Sequence, residues 1–390
     1  MKSRIYKRIE ELGEVVGGGT PSTNNEAYWN GDIPWISPKD LTSYNYRYIS
    51  RGERNITKLG FENSSAKMLP KGSILFSSRA PIGYVAIAAN SVCTNQGFKS
   101  VVPSKNVDPL FLYYLLKANG NHIANMGSGT TFKEVSGKVM RNIVLPIPST
   151  IEEQKRISSI LDSIDSKIEL NNQINDYLTQ LVSVLLAKEI YEKEPFGKKT
   201  VRDFVVSMSN GATPSRKNNE FWIRGSIPWV KTGEVNNNLI IKTEESITEL
   251  ALEKTSVKLL PKDTLIMALY GSGTAGRLAL LQTPATTNQA CTAMICETPA
   301  HSFYLFVTLQ GLYRKIDSLT RGSVQQNLSK NIIADLKIPD ISNAKLEELG
   351  LSNIYKHIAS NTKELLFLSE LRDALLPKLM SGEIDVSGIS

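Results

Sequence analysis

Residues 38 to 58, PKDLTSYNYRYISRGERNITK, set Lys39, Arg47, Arg51, Arg54 and Lys58 among Tyr44, Tyr46 and Tyr48. Cations suited to phosphates, interleaved with rings suited to base edges, give the composition of a nucleic-acid contact surface. The stretch after Trp229 is built differently, with Lys231, Asn236, Asn237, Asn238 and Lys242 followed by glutamates at 244, 245, 249 and 253. The residues assigned to the contact are Lys39, Tyr46, Arg47, Arg51, Arg79 and Lys133 in the first half of the chain. In the second half they are Arg216, Lys231, Arg277, Arg321, Gln325 and Gln326. Arg79 stands beside a turn at Gly83, and Lys133 and Gln326 follow glycine loops at matching positions. The same loops also read as variable surface carrying ordinary solvated charge.

Other chemistry finds no residues to perform it. GGGTPST at 17 to 23 lacks the Lys-Ser/Thr ending of a phosphate-binding loop. GSGTAG at 271 to 276 matches a dinucleotide fingerprint, but no acidic residue follows about twenty positions later, and a tight turn suits it better. Asp108-Pro109-Leu110-Phe111 fails, at its third residue, the Asn/Asp-Pro-Pro-aromatic pattern of adenine methyltransferases. Cys93, Cys291 and Cys296 have no CxxC spacing, and His122, His301 and His357 are scattered, so neither a zinc site nor a disulfide framework is expected. The 45 Lys and Arg against 38 Asp and Glu leave a net charge of +7, which suits an anionic partner without requiring one. No apolar run approaches the roughly 20 residues that cross a bilayer. A cytoplasmic protein with no membrane partner is expected.

Candidate contacts need elements to hold them, and the chain supplies those twice. GGTPSTNNEAYWNGDIPWI at 18 to 36 returns as GATPSRKNNEFWIRGSIPWV at 211 to 230. LPKGSILF at 69 to 76 answers LPKDTLIM at 260 to 267, Gly83 answers Gly276, and TNQG at 94 to 97 answers TNQA at 287 to 290. A chain of 390 residues exceeds one ordinary core, so a duplicated domain is the natural reading. Within each half, β-rich runs such as Ile74 to Phe76, Tyr84 to Ala88 and Phe98 to Val102 alternate with Gly, Pro and Asn, which predicts a compact sheet. A helix follows, capped by Asp108 and Pro109 and closed by Gly120, with Thr298, Pro299 and Gly311 as its counterparts.

Each half ends in a long helix. After Ser149 and Thr150, with Glu152 and Glu153 at capping-box spacing, no Gly or Pro intervenes until Pro195, which predicts a rod of about 60 Å. Ile157, Ile164, Asn171, Leu178 and Leu185 form one heptad row, with Leu161, Ile168 and Val182 beside it. Ile354, Asn361, Leu368 and Leu375 form the corresponding row in the second rod, with Ile358, Leu365 and Leu379 beside it. Such seams require a mate, and antiparallel pairing of the two rods would make Asn171 and Asn361 neighbours. Pro377, where the first rod has Ala187, predicts a kink or an end near Leu376. The expected fold class is α+β: two homologous mixed α/β domains, 1–149 and 193–341, separated by antiparallel coiled-coil helices within 150–192 and 342–390, in a pseudo-twofold repeat.

GxTPS followed by YW and IPW, LPKG before a strand, RAPIG, TNQG, Pro-Ile-Pro followed by Glu-Glu-Gln at 152 to 154, and KLMSGEIDV together are highly specific. The whole chain resembles the DNA-specificity (S) subunit of Type I restriction-modification systems. It departs from that pattern once, carrying DISNAKLEEL after Pro339 in place of the Glu-Glu-Gln. The resemblance implies two target-recognition domains that read halves of an interrupted, asymmetric site on double-stranded DNA, with the helices as a ruler. It implies a subunit without catalytic activity or cofactor of its own. Two methylation (M) subunits would use S-adenosylmethionine, and restriction (R) subunits would use ATP and Mg. The competing reading from the residues is a scaffold whose duplicated domains grip two copies of an acidic protein.

Overall fold

The computed structural model describes residues 4–388 apart from 43, 80, 130–132, 193–197, 272, 314–315 and 317–327. It divides into two compact units, residues 1–170 with 367–390, and residues 171–366.

In the first unit, β-branched and aromatic residues alternating across Ile74–Phe76 place Ile74 and Phe76 in one core and Leu75 in another, so a single strand feeds both faces of its sheet. That five-stranded sheet runs in the order Gly13–Gly17, Lys99–Pro103, Ile74–Phe76, Val85–Ala88, Tyr48–Ile49. Its neighbours are antiparallel except the last pair, where Tyr48 and Ile49 run parallel to Ile87 and Ala88. A three-stranded sheet joins Asn55–Ile56, Trp29–Ile36 and Cys93–Thr94. The second unit repeats both sheets strand for strand. Ser207–Asn210, Cys291–Ile295, Leu265–Ala268, Leu278–Leu281 and Asn238–Ile240 form one, and Glu245–Ile247, Ile227–Val230 and Thr286–Thr287 the other.

The helix Pro109–Ala118 begins as its residues dictate, the Asp108 carboxylate accepting the Phe111 N–H at 2.8 Å. It buries every residue from Phe111 to Leu116, as a helix covered on all sides must. Pro299–Gly311 is its counterpart, capped by Thr298.

The first long helix is continuous over Ile151–Glu192. The second is preceded by a short helix, Asn343–Glu348, and Gly350 then turns the chain at φ 69° into Leu351–Ser381. The replacement of Glu-Glu-Gln therefore moves the start of the second rod downstream of a glycine turn. Of the kink or end expected near Leu376, the end does not occur: the helix continues through Pro377 to Ser381. The proline sacrifices only the bond to the Asp373 carbonyl, on an exposed residue, while Leu376, Leu379 and Met380 fix the turn in the core.

Within each unit the two long helices pair antiparallel. In the first, Ile157 and Leu161 share a core with Leu376 and Leu379, and Arg372 Nη1 meets Asp165 Oδ1 at 2.9 Å. In the second, Asn171 Nδ2 donates to Glu364 Oε2 at 2.7 Å, and Asn361 Nδ2 donates to Asn175 Oδ1 at 3.1 Å. Asn171 and Asn361 thus both lie on the seam but bond across it to other residues, Asn171 to Glu364, three positions from Asn361, and Asn361 to Asn175, four positions from Asn171. Of the row assigned from heptads, Ile157 and Asn171 are buried, whereas Ile164, Leu178, Leu185, Ile354, Leu368 and Leu375 are half-buried. The deepest seam positions include Asp165 at 3 % exposure, a charge that an apolar pattern cannot find.

The first unit is closed by Arg4, whose Nε and Nη2 donate to the carbonyls of Met380 and Leu379 at 3.0 and 2.8 Å while Nη1 pairs with Glu153 at 2.6 Å. One guanidinium satisfies orphan carbonyls at the end of one long helix and a carboxylate in the first turn of the other.

Candidate nucleic-acid interface

The repeated phrases build a platform. In the first unit Trp35 Nε1 donates to the Gly19 carbonyl at 2.9 Å and Trp29 Nε1 to the Ser22 carbonyl at 3.1 Å, so the GxTPS loop is stapled to the sheet by both rings. The rings meet edge to face, centroids 5.1 Å apart. The second unit does the same with Trp229 to the Ala212 carbonyl and Trp222 to the Ser215 carbonyl, both at 3.1 Å, and centroids 5.0 Å apart. Gly18 and Gly211 are required for this fit, since a Cβ on either would lie 2.0 to 2.1 Å from the nearest atom of the TNQ strand end. Thr20 bonds Gln96 through its hydroxyl, and Thr213 bonds Gln289 in the same way.

A carboxylate clips the variable loop onto each platform. Asp40 accepts from the backbone N–H of Ser37 and of Glu53, both at 2.7 Å. Its counterpart Glu234 accepts from Lys231 N–H at 2.8 Å and Glu244 N–H at 2.9 Å. The loop ends are thereby fixed.

The assigned cations fall into distinct environments. Lys39 is exposed and pairs with Glu53 at 2.8 Å, a hydrogen bond that raises its pKa. Arg51 is exposed without an ion-pair partner among the described residues. Tyr46 is half-buried, its ring 5.7 Å from that of Tyr44. Arg79 lies opposite Glu134 in a β-bridge, and Lys99 Nζ reaches the same carboxylate at 3.1 Å, so the base of the loop holding exposed Lys133 is cross-braced beside Arg79. In the second unit Arg216 pairs with Glu245, and Lys231 contacts Glu244 and Glu245 at 2.5 and 3.2 Å. Hydrogen bonding to Glu244 raises the Lys231 pKa, and hydrogen bonding to Arg216 lowers that of Glu245. Arg277 Nη1 donates to Asn236 Oδ1 at 2.9 Å. Arg321, Gln325 and Gln326 lie outside the described residues.

Arg47 is the correction. Its side chain is 6 % exposed and faces the first long helix, not solvent. Nε and Nη2 each donate to Glu169 at 3.0 Å, Nη2 also to Ser166 Oγ at 2.9 Å, and Nη1 pairs with Asp162. Asp162, Ser166 and Glu169 stand at i, i+4 and i+7, one helix face. Burial pulls the guanidinium pKa down, but the Glu169 hydrogen bonds and Asp162 outweigh it and leave it raised. Arg47 sits just before the edge strand Tyr48–Ile49 and anchors it, so it is withdrawn from the contact surface. Sequence reasoning left Arg54 unassigned and missed Lys99 and the Asp40 and Glu234 clips; an acid four residues after the end of each IPW strand is the signal that could have found the clips.

A family profile described as the Type I restriction modification DNA specificity domain matches residues 5–180 and 193–342, one match per copy of the repeat. The chain belongs to that family. The specificity subunits it resembles include the MjaIX subunit of Methanocaldococcus jannaschii, 33% identical with 97% of this chain and 93% of that protein covered. They also include the EcoR124I/EcoR124II subunit of Escherichia coli, 32% identical over 46% of this chain and 44% of that protein. The solved S subunit from M. genitalium shares the fold, with a TM-score of 0.59 at 18% identity over 97% of this chain and 96% of that one. This specificity chain therefore carries two DNA specificity domains on the platforms described. Among its described residues no helix is long and apolar enough to cross a membrane.

Proposed function

We propose that each unit reads one half of an interrupted duplex site and that the long helices set the gap between the halves. The observation that carries this reading is the contrast between two frameworks that match bond for bond and two outward faces that do not. Where the first unit presents exposed Arg51 without an ion-pair partner among the described residues and Lys39 on Glu53, the second presents Lys231 and Arg216 drawn onto Glu244 and Glu245. Unlike faces on like platforms suit unlike sequences. Modules that contact one face of B-DNA are set about 34 to 36 Å apart, one helical turn.

The chain supplies sequence specificity and no catalysis or bound cofactor. Methylation of adenine, with S-adenosylmethionine and with the base extruded from the stack, belongs to two methylation subunits. ATP- and Mg-dependent cleavage belongs to restriction subunits. Tyr177, Leu181 and Val184, exposed at i, i+4 and i+7 on the first long helix, and Phe367 and Leu371 on the second, offer the methylation subunits apolar seats.

The test is removal of about one heptad from both long helices, with target sites read by selection from a randomised duplex pool. The expected result is an altered gap between unchanged half-sites. Altered bases with an unchanged gap would refute the ruler. Binding to acidic protein but not to duplex DNA at low salt would favour the scaffold reading instead.

A further inference from the structure

The repeated tryptophans carry a feature that the repeat itself does not encode. In the first unit the guanidinium of Arg54 lies over Trp29, 3.8 Å from the ring centre. Trp29 is 5 % exposed and held by its own hydrogen bond and by Trp35, so the ring is a fixed floor. Arg54 is exposed, and no acidic group among the described residues pairs with it. In the second unit Arg216 lies over Trp222 at 3.7 Å and reaches Trp229 at 4.8 Å. Yet the two arginines do not correspond. The counterpart of Arg216 is Thr23, two residues after the shared Pro21 and Pro214. The counterpart of Arg54 is Glu245, just before the paired strands Asn55–Ile56 and Glu245–Ile247 reach Ile56 and Ile247. Two unrelated positions in the chain deliver the same cation to corresponding rings.

A guanidinium resting on a fixed ring is a pre-organised planar fork, so little side-chain freedom is lost when it meets a phosphate. Lys39 and Arg51 are further exposed cations on the loop clipped by Asp40. We propose that the ring-stacked guanidinium is a phosphate-contacting site in each unit: Arg54 in the first, and Arg216, partly offset by Glu245, in the second. This rests on the DNA reading above and adds to it a residue and a role.

The full chain, as wild type, R54A and R54K, is titrated with a mixed-sequence B-form duplex by fluorescence anisotropy across a salt series, alongside thermal melting. R54A is expected to reduce the slope of log affinity against log salt by about 0.9, one phosphate contact. R54K should keep the slope while binding several-fold more weakly, because the charge survives without the planar stack. If wild type binds and R54A shows the same slope, the proposal fails and DNA reading stands. A lowered melting temperature with an unchanged slope overturns it equally and makes the stack purely structural. If wild type itself binds no duplex, the DNA reading falls and this proposal with it.

Discussion

The two units fasten their recognition sheets to the long helices by different chemistry. In the first, Arg47 before the edge strand is gripped by Asp162, Ser166 and Glu169, and Tyr114 OH donates to Asp165 at 2.8 Å below it. In the second, pairing of Ile240 with Leu281, as Ile49 pairs with Ala88, puts Asn238 in the place of Arg47. Asn238 turns back to accept from Asn236 N–H at 3.0 Å. The fastening has moved to the LPK turn, where Tyr355 OH donates to Asp263 Oδ1 at 2.6 Å and accepts from Gln282 Nε2 at 2.7 Å. Burial and then the Asp263 hydrogen bond raise the Tyr355 pKa, so the hydroxyl keeps its proton at any working pH. Asp263 holds φ 65° where the first copy has Gly72 at φ 86°. One copy uses glycine for the turn; the other accepts a left-handed aspartate and turns its side chain into a bond. A duplicated scaffold therefore tolerates exchange of its attachment chemistry as long as the sheet registers stay the same.

The largest expected effect lies in the ionic fastening. Arg47→Ala leaves Glu169 and Asp162 without their cation and should cost the first unit about 3 kcal/mol or more, read by urea unfolding and by faster hydrogen exchange at Tyr48 and Ile49. Wild-type exchange in that variant would show that the ionic fastening is dispensable and would erase the contrast. The hydroxyl fastening should be weaker. Asp263→Ala combines a left-handed non-glycine residue with a lost hydrogen bond, and should cost about 2 kcal/mol. Asp263→Gly, which keeps the turn and loses only the bond, should cost roughly half as much. Equal losses in the two variants would mean that the backbone conformation is not what aspartate sustains. Smallest is the charge difference between the outward faces. Glu245→Gln frees Arg216 while Lys231 keeps Glu244, and should steepen the salt dependence of DNA binding by less than one unit while leaving melting within about 0.5 kcal/mol of wild type. A flatter dependence would reverse the assigned role of the glutamate.

Much of the fold was legible because local signals agreed. Glycine and proline punctuation delimited Ile74–Phe76, capping residues marked Pro109–Ala118 and Pro299–Gly311, and heptads without a breaker announced Ile151–Glu192. The site was less legible because charge in a sequence carries no direction. Arg47 and Arg51 stand four residues apart in one basic, aromatic stretch, and only the neighbouring long helix decides that the first is buried and the second exposed. The exchange of Arg54 for Arg216 was hidden for a related reason: alignment matches positions, whereas the tryptophan accepts a cation from either of two unrelated chain positions. The heptad row placed Asn171 on the seam, but the apolar periodicity passed over Asp165, buried there at 3 % exposure.

Arg4 ties the opening strand to carbonyls some 375 residues further along, and Leu376, Leu379, Met380 and Val386 complete the core around Phe76 and Phe111. During synthesis the domain that emerges earliest is consequently the one finished last. Its apolar floor must wait, uncovered, while the whole second domain is translated, which makes the newborn chain most vulnerable to aggregation in its leading half.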